Sequence, residues 1–417
     1  MKHDQEYADG AVIDRRARAK RFVILLGFVS LFADLCYEGM RSAIGPYLAF
    51  LGASATSVGL VSGTGEMVGY ALRYWSGTLV DRTGAYWPIT IAGYATNIVA
   101  VPLLALAGSW PLVAALVTLE RLGKAVRSPA KTTLTSFAAS DLGAGKAFAI
   151  NELMDQIGGL LGPLAVAGVL AWRGETATGF ALAFALLGIP AATAVAILLR
   201  ARRLYPDPRA LERDDAHADG ASRFGPRYRL YLVGVALVAI GLADWPLIAY
   251  HFEKADVVGA KWLPVVYAAA MGLDGLISLV AGLLFDLRRA RGTTGAGVLA
   301  LFVIAGAAYG LFAFSADAHT PMFAIAGVAL WSITHAATGS IAKAMIAAIV
   351  PRAQRGRAYG VFFLVFGVAW WVGSLMLGAL YDRDPGYAGV ASAAALVLGA
   401  AVVLASGMRK PPAQPGS

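Results

Sequence analysis

Long apolar runs recur about a dozen times along this chain, separated mostly by short polar links. Each is about 20 residues or more, the length that crosses a hydrocarbon core of about 30 Å. Inside lipid every backbone N–H and C=O needs an internal partner, so such a run is a helix or a strand of a closed barrel. Barrel strands are about 10 residues long and alternate in polarity. The runs here are long, rich in Gly, Ala and Leu, and unalternated, which makes them helices. Composition agrees: 58% of the 417 residues are hydrophobic and 15% are charged, more apolar surface than a soluble core of this size hides.

The pattern predicts an all-α membrane protein with twelve transmembrane helices, at about 22–50, 57–80, 87–106, 110–139, 146–172, 177–200, 229–252, 262–287, 293–314, 321–349, 358–380 and 386–408, with ends good to about 2–4 residues. The first run is too long and too charged for a cleaved signal peptide and is read as span 1. The single cysteine, Cys36, excludes an intramolecular disulfide. The one long link, 201–228, is polar and carries Pro206, Pro208, Glu212, Asp214, Asp215 and Asp219, a solvated linker by composition. The expected organisation is a tail (1–21), a six-helix bundle (22–200), the linker, a second six-helix bundle (229–408) and a tail (409–417).

Orientation follows from Lys and Arg in the links. With the N-terminus inside, the cytoplasmic segments hold 24 of them and the external loops hold 4, namely Arg173, Lys254, Lys261 and Arg383. Both termini are therefore expected in the cytoplasm. The same asymmetry accounts for the net charge of +9, so no nucleic-acid partner is expected.

The two halves resemble each other. Gly77-Thr-Leu-Val-Asp81-Arg82 closes span 2 and Gly282-Leu-Leu-Phe-Asp286-Leu-Arg288 closes span 8, an offset of 205. Ala33-Asp34 matches Ala243-Asp244 at offset 210, and Lys146-Ala-Phe148 matches Arg357-Ala-Tyr359 at offset 211. Near-constant offsets indicate an internal repeat, with substrate expected at the repeat interface near the midplane.

At these residues the chain resembles the major facilitator superfamily, over essentially its whole length. The family's loop motif after span 2 is matched by Gly77, Asp81, Arg82 and Gly84, although Ala85 and Tyr86 stand where basic residues follow. Gly282, Asp286 and Arg288 form a weaker second copy. The resemblance implies pseudo-symmetric bundles in which Asp81 caps the start of span 11 near Ala358, and Asp286 caps the start of span 5 near Ala147. A carboxylate there meets free N–H groups and the positive end of the helix dipole. Arg121-Leu-Gly-Lys124-Ala125 resembles the family's span-4 motif, mainly through Arg121. Gly158, Gly159, Gly162 and Pro163 are similar to the antiporter motif of drug:proton exporters, without the Gly pair usual after the Pro. Helix packing through small residues explains the same glycines equally well.

Ionisable groups within spans cost several kcal/mol unless paired or wetted, and they usually mark function. Asp34, Glu38 and Arg41 share one face of span 1, and Glu120, Lys124, Arg127 and Lys131 share one face of span 4. Counted from the cytoplasmic ends, Asp34 and Arg127 are both about 12 residues deep, Glu38 and Lys124 about 15–16, and Arg41 and Glu120 about 19. Opposite signs at each level predict a ladder of charges between spans 1 and 4. Lys131 is expected to pair with Glu152, and Arg127 with Asp155. In the second half, Asp244 and His335 form an expected pair, and Asp274 and Lys343 are further candidates. Glu66 and Arg73 lie about one face apart on span 2, and Tyr37, Tyr70, Trp245, Trp331, Trp370 and Trp371 are candidate cavity aromatics.

Two readings of the ladder stand: buried ion pairs that fix packing, or carboxylates that exchange protons as their basic partners move. The functional expectation is a non-enzymatic secondary transporter, a proton-coupled exporter of small organic compounds in a bacterial inner membrane. The alternatives are a proton symporter importing an organic anion and, more remotely, a non-transporting receptor. No cofactor or metal is expected, and no Gly-x-x-x-x-Gly-Lys-Ser/Thr loop is present for ATP hydrolysis. The expected partners are a small molecule, protons and the bilayer, with the protein acting as a monomer.

Overall fold

The computed structural model describes the backbone of residues 2–142, 144–207, 224–291, 295–350 and 355–408; within these it describes side chains outside 2–16, 74, 81, 136, 138–149, 289–290, 347–348, 355–356 and 408. The loop carboxylate Asp81, the repeat residues Lys146-Ala-Phe148, linker residues 208–223 and the tail 409–417 thus lie outside the described residues or side chains.

Every described element is helical. In chain order they are α1 (Lys2–Phe50), α2 (Ala55–Thr83), α3 (Tyr86–Leu103) with a 3₁₀ turn (Leu104–Leu106), α4 (Trp110–Leu142), α5 (Ala144–Arg173), α6 (Ala177–Leu186), α7 (Gly188–Leu204), α8 (Pro226–Gly241), α9 (Trp245–Lys254), α10 (Leu263–Ala290), α11 (Ala296–Gly306), α12 (Tyr309–Ala313), α13 (Pro321–Ile349), α14 (Arg355–Tyr381) and α15 (Pro385–Met408). Among the described residues, ten stretches are long and apolar enough to cross a membrane. The predicted spans 2 and 4 are not among them. They form α2 and α4, helices of 29 and 33 residues whose charged side chains lower their hydropathy.

Three differences from the predicted spans have local causes. Helix α1 starts at Lys2 rather than near 22, because the Ala, Arg, Lys, Gln and Glu residues there are good helix formers. Span 6 divides at Leu187: Pro190 has no N–H to donate to the carbonyl four residues back. Span 7 divides at Leu242–Asp244, where Leu242 turns extended (ψ 103°) and Pro246 opens α9. Irregular backbone at membrane depth persists only if its polar groups are met. Here Tyr309 donates to Gly241 O (2.8 Å) and accepts from Ala243 N–H (2.5 Å), while Trp331 Nε1 donates to Ala243 O (2.9 Å).

The chain forms two compact units. The first comprises Met1–Ala43 and Leu72–His217, the second Ile44–Ala71 and Ala218–Ser417. The boundaries therefore depart from chain order in one respect: the stretch from the end of α1 to the middle of α2 packs with the second unit. In the first unit, Phe22, Leu26, Trp87, Tyr94, Leu134, Phe137, Leu198 and Tyr205 form a buried apolar core. Trp87 Nε1 donates to Tyr205 O at 3.0 Å, which anchors α3 to the end of α7.

Glycines set the closest helix crossings of this unit. A methyl at Gly158 of α5 would stand 2.2 Å from Leu31 O of α1, and one at Gly162 would stand 2.2 Å from Leu35 O. A methyl at Gly93 of α3 would stand 2.6 Å from Gly123 O of α4. The glycines of the span-5 motif thus bring α5 onto the face of α1 next to Asp34 and Glu38. Gly158→Ala is expected to cost about 1–3 kcal/mol by overpacking this crossing. Gly168→Ala, where a methyl meets nothing within 4 Å, is the control. Thermal unfolding in detergent measures both: a lower midpoint for the first and an unchanged one for the second.

Candidate transport site

The α1–α5 and α3–α4 crossings fix where the ionisable side chains of the first unit stand. Lys131 of α4 reaches both other helices. It donates to the Ser30 hydroxyl of α1, and its Nζ lies 3.9 Å from Asp155 Oδ1 of α5. Ser30 in turn donates to Asn151 Oδ1 (2.9 Å), and Asn151 Nδ2 donates to Asp155 Oδ2 (3.0 Å). Four side chains from three helices form a closed polar circuit.

About two turns from Lys131 along α4, Lys124 sits in the field of Asp34 and Glu38 of α1, and of Arg121 and Glu120 on its own helix. Asp34, half-buried, lies within electrostatic range of Asp155, Lys124, Glu38 and Lys131. Tyr37 lies between two cations: Lys124 Nζ is 3.4 Å and Arg121 Cζ 4.6 Å from its ring centroid, and Arg121 also donates to its hydroxyl. The ring face and the hydroxyl oxygen both offer negative charge to cations that have left water. Glu120 is fully buried, with Arg121 Nε 3.9 Å away. Arg41 is buried as well.

This geometry departs from the predicted pairings in named ways. Arg127 turns away from the acids: it donates to Asn97 Oδ1 of α3 (3.0 Å) and stacks over Tyr94 at 4.3 Å, because the Gly93–Gly123 crossing brings α3 against that face of α4. Asp155 therefore takes Lys131, and not Arg127, as its cation. Glu152 is exposed and accepts from Gln156 (3.2 Å) instead of pairing with Lys131. Depth counting missed this because it ignores how α4 is rotated.

In the second unit, His335 of α13 pairs with Asp274 of α10, not with Asp244. Its Nδ1 donates to Asp274 Oδ1 at 2.8 Å, and its ring stacks on Trp331 with centroids 4.7 Å apart. Asp244 is buried at the break in span 7, where it caps α9 by accepting from Trp245 N–H (2.9 Å). That role was missed because the apolar run continues unbroken through it. Glu66 is buried, Lys343 is exposed, and Asp286 is exposed on α10. Of the motif glycines, Gly84 has φ +62° and terminates α2, with its N–H donating to Val80 O (2.8 Å), a conformation that favours glycine. A methyl at Gly77 would meet Pro129 of α4 in ordinary contact at 3.7 Å, and one at Gly282 would meet nothing within 4 Å.

A multi-pass helical chain that holds buried charge networks has the features expected of a membrane transporter. Comparison with known proteins makes the assignment specific. Residues 23–221 match the Major Facilitator Superfamily. An uncharacterized protein of Mycobacterium tuberculosis is 39% identical over 373 residues, 88% of each chain. An uncharacterized MFS-type transporter of Methanocaldococcus jannaschii is 29% identical over 140 residues, 34% of this chain and 35% of that one. The fold is similar to the nucleoside transporter NupG (TM-score 0.73, 13% identity, 93% of this chain and 100% of that one). It is also similar to the peptide transporter POT in complex with sulfate (TM-score 0.73, 16% identity, 92% and 94%). The chain belongs to the major facilitator superfamily.

The Lys131–Asp155 contact joins two helices inside the span, so its two members are coupled. A double-mutant cycle with Lys131→Met and Asp155→Asn should give an interaction energy of about 0.5–3 kcal/mol in detergent unfolding. Additive effects would mean that the two charges act independently.

Proposed function

We propose that this transporter crosses the membrane twelve times, keeps both termini in the cytoplasm of a bacterial cell, and exports small organic compounds in exchange for protons. The lengths of α2 and α4, and the burial of Glu120, Arg121 and Arg127, support counting these charged helices as spans: their polar side chains face protein, as intramembrane charges do. The loop basicity supports the orientation.

The observation that carries the coupling is that Lys124 reaches α1, with its Nζ 3.4 Å from the Tyr37 ring centroid, and lies within electrostatic range of Asp34 and Glu38 on that helix. Within low-dielectric surroundings a carboxylate keeps its charge while a cation is near and takes up a proton when the cation leaves. A rearrangement of α1 against α4 changes that distance, so proton uptake and release follow the conformational cycle. Export is the direction suggested by the resemblance of Gly158–Pro163 to the antiporter motif. The helix-packing role of Gly158 and Gly162 does not compete with that assignment, since the same crossing places the acids.

One observation favours a second reading, symport of an organic anion. Tyr37 carries Arg121 and Lys124 against it, and cations gathered at an aromatic ring can receive a carboxylate or phosphate. Flux distinguishes the two. In inverted vesicles challenged with a compound panel, the exporter reading predicts substrate-driven proton efflux from the lumen, and the symporter reading predicts proton movement in the same direction as substrate. Asp34→Asn and Glu38→Gln should each abolish proton-coupled flux while the protein still elutes as a folded monodisperse species. Full activity in both variants contradicts the proposal.

A further inference from the structure

The second unit contains an arrangement that the charge network does not use. On the face opposite the basic links, the N-terminus of α2 is capped twice. Ser54, just before the helix, accepts from Ser57 N–H at 3.1 Å, which is an ordinary local cap. The first two N–H groups of the helix go to a residue 326–327 positions away: Ala55 N–H donates to Asp382 Oδ1 (2.8 Å) and Thr56 N–H to Asp382 Oδ2 (2.9 Å). The Thr56 hydroxyl adds a third bond to Asp382 Oδ2 (2.5 Å). Asp382 immediately follows α14, and Tyr250 of α9 donates to Ala53 O (2.9 Å) at the same point.

Beneath these bonds the helices meet through glycines. A methyl at Gly378 of α14 would stand 2.5 Å from Ala55 O. One at Gly59 of α2 would stand 2.2 Å from Ser374 O of α14, and one at Gly45 of α1 would stand 2.3 Å from Pro246 O of α9. At this outer end backbones touch directly, whereas farther along the same two helices Tyr70 packs on Phe363 and Phe366 and Trp371 donates to Thr64; the glycine-lined outer end can therefore part without drawing those large side chains past one another. Because Ser54 already caps α2 locally, the helix survives the loss of Asp382, and water replaces the carboxylate at Ala55 and Thr56.

We infer that Asp382 is a gating residue of the transport cycle: its carboxylate ties the outer end of α2 to the outer end of α14, and this side opens when the tie is released. The electrostatics of the site agree. Partial burial pushes the Asp382 carboxyl up, but the bonds from Thr56, Ala55 and Ser54 outweigh it and hold the group below its ordinary range. The tie is thus made by a charged carboxylate to the positive end of a helix dipole.

The test reads conformation and needs neither substrate nor a proton gradient, so it stands apart from the coupling proposal. In a Cys36→Ala background, Ser374→Cys places a thiol in the seam about two helical turns below Asp382, at a position now 3% exposed. A membrane-impermeant maleimide added from outside reports how often the seam opens. Asp382→Ala should speed labelling roughly 2- to 30-fold, the range set by a lost N-cap. Asp384→Ala, which removes only the local bond from Gly386 N–H, should leave the rate unchanged. Labelling of Asp382→Ala at the parent rate overturns the inference. If Asp382→Ala does not reach the membrane folded, the isosteric Asp382→Asn, which lacks one acceptor oxygen, decides in its place: faster labelling supports the tie and an unchanged rate overturns it.

Discussion

A charge placed among lipid-spanning helices has to be met by another polar group, and the first unit is organised around that requirement. Leaving one member of a buried pair alone costs about 3–5 kcal/mol. Lys131 is met by Ser30 and Asp155, Arg127 by Asn97 and Tyr94, and Lys124 and Arg121 by Tyr37 and the neighbouring acids. Apart from Glu120, which lies beside Arg121 on α4 itself, these partners stand on other helices, so the charges specify which helices meet and at what height. In the proposed cycle, a network satisfied in one arrangement must be re-satisfied in the next.

The glycines make such meetings short enough to work. Where α1 crosses α5 at Gly158 and Gly162, the backbones approach closely, and Asp34 of α1 comes within range of Asp155. Where α3 crosses α4 at Gly93 and Gly123, Arg127 is delivered to Asn97. In the second unit the same device lines α2 against α14, with Asp382 at its mouth. Charge and close approach thus occur together: polar contacts choose the arrangement, and small residues let backbones approach until those contacts form.

Much of this was legible in the chain. The apolar runs located the helices, since length and hydropathy are dictated by the bilayer itself. The shared faces of Asp34 with Glu38 and of Lys124 with Lys131 follow from helical period alone. What remained hidden was rotation and pairing. Periodicity says that Arg127 and Lys131 share a face, but not that Gly93 pulls Arg127 toward α3. It says that Asp244 and His335 lie at similar depths, but not that α8 stops at Gly241, turning Asp244 into a helix cap and leaving His335 to Asp274. The Asp382 contact joins residues more than 300 positions apart and has no local signature, because Ser54 already supplies the cap that the local sequence calls for.

The central claim is that the acids of α1 change their proton content as the transporter moves. The most direct measurement is of protons alone: the purified protein in weakly buffered detergent is mixed with a compound found in the flux panel, and a pH-sensitive dye is followed while calorimetry confirms binding. The account predicts proton release or uptake on binding by the wild-type protein, and its loss in Asp34→Asn with binding retained. Binding without any proton change in the wild-type protein would contradict it.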